Sequence, residues 1–482
     1  MAVPKQPQQH QQQSRQASAA QALPARERDV PERDLVIDLA RFFCLALVVV
    51  SHTMMVSPAL HPDGTVSTQN TLALQDWFEP VIWIFMVMPL FFVAGGITGL
   101  QSWRRLRARG GNGLDFAQAR LLRLIRPAAA LLAVMFAGLW AARLFGVEPQ
   151  VVELIVTGAG MPLWFLAAYL AAQLNIPLLA RLHDRAPWLT LAGLAALVVA
   201  VDCFRGAVPL LAYANILFLW CAVQQLGFIL ADTPAGRPGN STLLGVILAS
   251  NLLLGLVTGL GLYPGNMLVN LNPPNFCLLL LGTAQAAALQ LSRPVLTGVA
   301  SARWIRVVVG LAGRRALTVY LWHLPLLAAL SGMLLLTDFP KPAAGTAGWW
   351  WSRPLVLAAI IALLLPVLAL FGRLEERPTA PAHSRRRPAA AVVTAVVVVF
   401  IPVADAAFNG LTLGLLGGGA ACFTLAVLLL GRVPVPHPPP PAPAAAPTDA
   451  RAQRATDGAP DDAPDGPGGP LPPTPLSANV EP

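Results

Sequence analysis

The sequence predicts an all-α protein, a polytopic bundle of about twelve transmembrane helices. Three observations carry this. The 482 residues are 55% hydrophobic and only 12% charged, with a mean hydropathy of +0.60, the balance of a chain that is mostly in lipid. Apolar runs of spanning length recur along it. The basic residues fall in short loops between those runs, as topology signals do.

The runs lie near 35–57, 79–101, 127–146, 160–181, 187–203, 208–231, 242–262, 275–292, 315–336, 354–373, 389–407 and 410–431. The run at 187–203 is the shortest for a span. Gly and Pro occur inside several, which membrane helices tolerate. Residues before Leu35 are Gln-rich and polar, so no cleavable signal is expected and the first helix should itself drive insertion.

The net charge is +9, almost all of it arginine, with lysine only at Lys5 and Lys341. The loop 102–126 holds Arg104, Arg105, Arg107, Arg109, Arg120, Arg123 and Arg126. Loop 293–315 holds Arg293, Arg303, Arg306, Arg314 and Arg315, and loop 374–388 holds Arg377, Arg385, Arg386 and Arg387. Loops 58–78 and 263–274 contain no Lys or Arg. This alternation predicts a multi-pass protein of the cell membrane with both termini and the basic loops in the cytoplasm. It makes a lipid bilayer, not a nucleic acid, the partner of the positive charge.

The tails differ in composition. Residues 1–34 are Gln/Ala-rich, and residues 433–482 are rich in Pro, Ala, Asp and Gly. Neither can bury a core, and both are expected to be disordered cytoplasmic tails. The run Pro438–Pro441 could be a ligand for a partner domain or part of a solubilising tail. Cys44, Cys203, Cys221, Cys277 and Cys422 are scattered, with no Cys-x-x-Cys pair. No metal site and no disulfide framework is suggested, and small buried hydrophobes is their expected role.

The chemistry-bearing residues begin at Ile37-Asp38-Leu39-Ala40-Arg41, with His52 following. At about 100° per residue, Asp38, Arg41 and His52 share one side of a helix, with Arg41 and His52 about 16 Å apart along its axis. Charge inside a bilayer costs at least roughly 3 kcal/mol, so a polar stripe faces a bundle interior or a watery cavity. The plain alternative is an Arg snorkelling to the surface and a His satisfied within the bundle. An imidazole at that depth can act as general base, because it titrates near neutral pH. An Arg on the same face could bind a phosphate or orient an acidic group.

Next come Arg120, Arg123, Arg126 and Pro127. The spacing of three places the arginines along a helix start, with Pro127 in an early turn. They read either as membrane-flanking charges or as a clamp for phosphates of an anionic substrate. Tyr320, Trp322, His323 and Pro325 form an aromatic segment with a His, readable as an interfacial belt or as part of a site. Ala94, Gly95, Gly96 and Gly99 are small enough for close helix packing.

Taken in order, these segments resemble one family. The Arg41 and His52 pair after an Ile-Asp comes first, then Phe91-Phe92-Val93-Ala94-Gly95-Gly96, then Arg123-x-x-Arg126 before Pro127. Leu163-Trp164-Phe165-Leu166 with Tyr169 follows, and then Tyr320-Leu321-Trp322-His323-x-Pro325. They are similar to the acyltransferase-3 family of integral-membrane acyltransferases, over roughly residues 33–374. The resemblance implies a membrane domain at 35–374 with ten helices; the chain departs from that pattern by two additional helices within 375–432, and no fused exported domain is expected.

It implies transfer of an acyl group, often acetyl, from cytoplasmic acyl-CoA to a hydroxyl of a carbohydrate or other small-molecule acceptor. Acyl-CoA is then a donor substrate, and no bound cofactor is expected. His52 matches the family's essential His, with Arg41 and Asp38 beside it as catalytic candidates. Arg120, Arg123 and Arg126 are candidates for the CoA phosphates, the family pair mapping onto Arg123 and Arg126. Tyr320 and His323 are further site candidates. Where the family usually has Ser-Gly, this chain has Ala94-Gly95-Gly96.

A twelve-helix secondary transporter is the competing reading, although the halves 35–231 and 242–431 show no evident repeat. A non-catalytic scaffold using the proline-rich tail is a third.

Overall fold

The computed structural model describes residues 34–60, 66–233, 238–335, 337, 342–375 and 387–431. The tails expected to be disordered lie outside the described residues except for Asp34, as do Arg377, Arg385 and Arg386 of the last basic loop.

Asp34 starts the first helix. Its carboxylate accepts from the backbone N–H of Val36 at 3.1 Å and of Ile37 at 3.3 Å, satisfying two donors that a helix start leaves open. Helix α1 runs Leu35–Met55. It passes into an antiparallel hairpin, β1 (Val56–Leu60) and β2 (Val66–Asn70), paired from Val56 opposite Asn70 to Leu60 opposite Val66. The sequence predicts only a loop there.

The single apolar run at 79–101 is two helices, α2 (Phe78–Phe85) and α3 (Met88–Ala108). The chain breaks at Met86 and Val87, and Pro89 suits the first turn of α3 because the helix asks no N–H of it there. A distant side chain, Gln285, donates to the Met86 carbonyl at 2.7 Å.

Helix α4 (Gly113–Leu144) starts well before the expected 127. Asn112 and Asp115 form a capping box: Asn112 Oδ1 accepts from Asp115 N at 3.0 Å and Asp115 Oδ2 accepts from Asn112 N at 3.0 Å. That reciprocal cap fixes the start. Arg120, Arg123 and Arg126 therefore stand within the helix body and Pro127 lies mid-helix, which corrects the reading that placed them at a helix start. Arginine propagates a helix well, so a basic stretch need not be a loop.

The chain continues through α5 (Pro149–Leu174), α6 (Ile176–Arg185), α7 (Pro187–Phe204), α8 (Asn215–Ala231) and α9 (Asn240–Gly259). Then follow α10 (Phe276–Leu291), α11 (Arg293–Ser301), α12 (Arg303–Arg314), α13 (Ala316–Leu335), α14 (Ala347–Phe371), α15 (Ala389–Asn409) and α16 (Leu413–Leu430). Among the described residues, eleven helical segments are long and apolar enough to cross a membrane, or up to twelve if α10 and α11, bent by 61°, form one. The expected loop 293–315 is itself helical. In α12, Trp304, Val307, Val308 and Leu311 are exposed beside Arg303 and Arg306, the pattern of a helix lying in a membrane interface.

Two large apolar clusters hold the bundle. The first gathers Ile37, Phe92, Ala168, Trp220 and Leu278 from α1, α3, α5, α8 and α10. The second gathers Leu121, Ile125, Leu170, Leu321, Leu364 and Phe423 from α4, α5, α13, α14 and α16. Tyr169 and Tyr320 touch both, so α5 and α13 mark a seam between them. Within the first cluster, α3 and α8 cross at backbone contact. A Cβ on Gly96 would collide with the Gln224 carbonyl, and one on Gly227 with the Val93 carbonyl. Small residues are what permit such an approach.

The two additional helices are part of this bundle. Val392, Ala395, Leu416 and Phe423 are buried in the second cluster. Gln118 of α4 donates to the Leu430 carbonyl at 2.7 Å, and Arg126 to the Gly431 carbonyl at 3.3 Å. These bonds occupy carbonyls that the end of α16 leaves open.

Candidate active site

Helix α1 runs past two cavities on the seam. The first holds about 180 Å³, and its polar lining comes from Asp38 and Arg41 of α1, Thr98, Ser102 and Arg105 of α3, and Arg120 and Arg123 of α4. Tyr169, Tyr320 and Glu375 complete it. Four arginines against two carboxylates leave it positive. Arg41 Nε is buried with no hydrogen-bond partner, and its guanidinium carbon stands 5.9 Å from the Phe91 ring centre. A buried, unsatisfied donor is costly unless something occupies the space beside it.

The second cavity holds about 370 Å³. Its lining includes Ser51, His52, Met54 and Met55 of α1, Val81, Ile82 and Phe85 of α2, and Trp164 of α5. Val48, Val87, Met88, Phe165 and Tyr320 line both cavities, so the two meet at this wall. The broken segment between α2 and α3 supplies Val87 to it. Phe165 and Tyr320 supply an aromatic pair whose ring centres are 5.0 Å apart.

The imidazole of His52 is oriented from behind. His323 Nδ1 stands 2.6 Å from the Tyr320 carbonyl oxygen. A carbonyl only accepts, so Nδ1 carries the proton and the neutral ring has its lone pair at Nε2. That nitrogen is 2.9 Å from His52 Nδ1. His52 Nδ1 must then donate, which leaves His52 Nε2 as the unprotonated, basic nitrogen. The rings are 5.1 Å apart at their centres.

The structure thus brings Asp38, Arg41, Arg120 and Arg123 to one cavity and His52 to the other, with Tyr320 between and His323 behind. Arg126 is the exception. Three residues advance a helix by about 300°, which leaves successive arginines about 60° apart, so Arg120 and Arg126 differ by about 120° around α4. Arg126 instead donates to the Gly431 carbonyl just past α16, and it is not among the lining residues of the basic cavity, where Arg120 and Arg123 are.

Sequence reasoning did not place Arg105, Trp164 or Glu375 at the site, although Arg105 stands in a basic stretch and Trp164 in a segment that carries the family resemblance. Glu375 accepts from Leu317 N at 3.2 Å and from Thr318 N at 3.1 Å, capping α13, and faces the charge of Arg123. Its one signal is a carboxylate set at the edge of an arginine-rich segment. Trp164 Nε1 is a buried N–H without a partner; the signal for it is its place in the Leu163-Trp164-Phe165-Leu166 segment. Among the described residues, no group of three or more His, Cys, Asp or Glu is placed to hold a metal ion.

Comparison with known proteins gives one result. Residues 34–373 match the profile described as an acyltransferase domain, that of the acyltransferase-3 family. Searches of curated proteins and of solved structures found no match. The profile match favours an enzyme over the transporter reading. Spanning well over half of the chain and lying on a bundle of membrane-crossing helices, it establishes that this protein belongs to the acyltransferase-3 family and is a multi-pass membrane acyltransferase.

Proposed function

We propose that the enzyme moves an acetyl group from acetyl-CoA, held at the basic cavity, to a hydroxyl of an acceptor held in the second cavity. The observation that carries this reading is the meeting of the two cavities at Val48, Phe165 and Tyr320, with arginines on one side and an oriented imidazole on the other.

Arg120, Arg123 and Arg105 suit the phosphates of CoA, because guanidinium groups bind phosphate in a fixed, charge-assisted geometry. Arg41 lies deeper, where an unsatisfied N–H could meet the donor's polar arm. The thioester then reaches the shared wall. His52 Nε2 takes the acceptor's hydroxyl proton as its oxygen attacks the thioester carbonyl. The carbon–sulfur bond breaks, and CoA leaves as the thiol after the proton passes to sulfur. His323 accepts from His52 Nδ1 throughout and favours the imidazolium that forms.

In this reading the basic cavity faces the cytoplasm of a cell membrane, where CoA is found. The positive-inside rule supports that orientation. The test uses purified full-length protein in liposomes, acetyl-CoA labelled in the acetyl group, and extracted membranes as acceptor source. Wild type should yield labelled product and free CoA together. His52→Ala should lower turnover by a factor of about 10² to 10⁴ with membrane insertion intact. Near-normal turnover in that variant removes His52 from the mechanism.

A further inference from the structure

The second cavity is poor in polar groups for a site expected to take a carbohydrate. Leu47, Val50, Met54, Ile82, Phe85 and Leu271 are among its walls. The side chains with polar groups in its lining are His52, Ser51, Tyr320, Trp77 and Trp164, the last with an unpartnered Nε1. That set serves one reacting hydroxyl and one carbonyl oxygen. A free sugar would bury several further hydroxyls against hydrocarbon, each stripped of water without a replacement bond. An apolar body in the same place would lose nothing and would release ordered water.

The way in is also apolar. Phe85 lines the cavity, yet 43% of its surface is exposed. It lies within Phe78–Ala108, a stretch apolar enough to cross a membrane. Phe85 thus joins the cavity wall to an exposed apolar surface on a stretch suited to the bilayer, and a mouth there would open toward lipid. Trp77, the other half-exposed lining aromatic, immediately precedes α2. Indole rings are favoured where one end of a ligand is apolar and the other wet.

Resting on the acyl-transfer reading above, we propose that the acceptor is an amphiphile. Its hydroxyl is presented to His52 while its apolar body fills the second cavity through the Phe85 mouth. A water-soluble free carbohydrate is not the acceptor. The transfer balances as before: the O–H bond breaks, an ester forms, and CoA leaves as thiol.

The test places single cysteines at the mouth, Phe85→Cys, and beside the imidazole, Ser51→Cys, in full-length protein lacking its native cysteines and held in liposomes. The rate of N-ethylmaleimide labelling is read with 1-decanol, sub-micellar octyl glucoside or glucose present. Decanol and octyl glucoside should slow labelling at both positions by at least about tenfold, and glucose at equal concentration should not. Protection by glucose, or none by either amphiphile, overturns the proposal.

Acetyl-CoA binding to the same preparations, by calorimetry, separates this from the reaction itself. Binding without amphiphile protection leaves the acyltransferase mechanism standing and removes the amphiphilic acceptor. Protection without acetyl-CoA binding removes the mechanism, and the cavity ceases to be an acceptor site.

Discussion

His52 takes its basic nitrogen from a residue 271 positions away. The Tyr320 carbonyl fixes the His323 tautomer, and His323 in turn fixes that of His52. Removing His323 lets His52 carry its proton on either nitrogen, and the catalytic fraction falls. His323→Ala is expected to lower turnover by roughly tenfold or more, as loss of a tautomer-setting group does. His323→Gln, whose amide oxygen can accept from His52 Nδ1, should restore part of it. Equal loss in both variants would mark a packing role only. Along α4, one arginine faces a cavity and another does not. Arg123→Ala should weaken acetyl-CoA binding by roughly ten- to a hundredfold, the worth of a charge-assisted bond. Arg126→Ala should leave that affinity unchanged and lower the thermal midpoint instead, because it loses only the bond to the Gly431 carbonyl. Calorimetry and thermal unfolding on the same samples distinguish them. Loss of CoA affinity in Arg126→Ala would contradict its position away from the basic cavity.

At the scale of elements, helices are tied where their ends meet. Arg104 of α3 donates to both Asp232 oxygens, at 2.5 and 2.8 Å, and to Asp184 at 3.0 Å. His183 of α6 completes the cluster, its Nε2 being 3.1 Å from Asp232 and its Nδ1 2.7 Å from the Gln225 amide of α8. The Arg104 bonds hold the Asp232 carboxyl below the usual carboxylate range. A depressed carboxyl contributes stability above its unfolded pKa, about 3.9, and loses it as pH falls through the lower folded value. Asp232 is partly exposed, so the contribution is about 1 kcal/mol or less after solvent screening. Thermal midpoints measured from pH 6 to pH 3 should fall less steeply for Asp232→Asn than for wild type. Parallel curves would show that the clamp is energetically silent. The break between α2 and α3 is the element that matters most for chemistry. It supplies Met86 to the second cavity and Val87 to the wall shared by both.

For the whole molecule, orientation follows from arginine placement and can be tested directly. Thr68 on the hairpin and Ser301 at the end of α11 are both exposed. They lie on opposite sides of the membrane in this reading. With Cys44, Cys203, Cys221, Cys277 and Cys422 removed, Thr68→Cys should react with an impermeant thiol reagent on intact cells, and Ser301→Cys only after lysis. The reverse pattern would put the arginine-lined cavity outside, away from any CoA, and the donor side of the mechanism would have to be abandoned.

Much of this protein is readable along the chain. Apolar runs of spanning length give the bundle, because each crossing must satisfy its own backbone bonds and cover itself with apolar side chains. The helical repeat alone puts Asp38, Arg41 and His52 on one side of α1. Those are local properties, and residue order contains them. What order does not contain is the phase of one helix against another. It could not show that Arg126 turns toward α16 while Arg123 faces Glu375, nor that α2 and α3 part at Met86. It could not show that His323 lies behind His52. Each of these depends on which faces of separate helices are brought together, and that is settled by close packing over the whole bundle. The apolar character of the second cavity is of the same kind. Its wall is drawn from helices far apart in sequence, and only their assembly turns ordinary membrane-helix residues into the lining of a site.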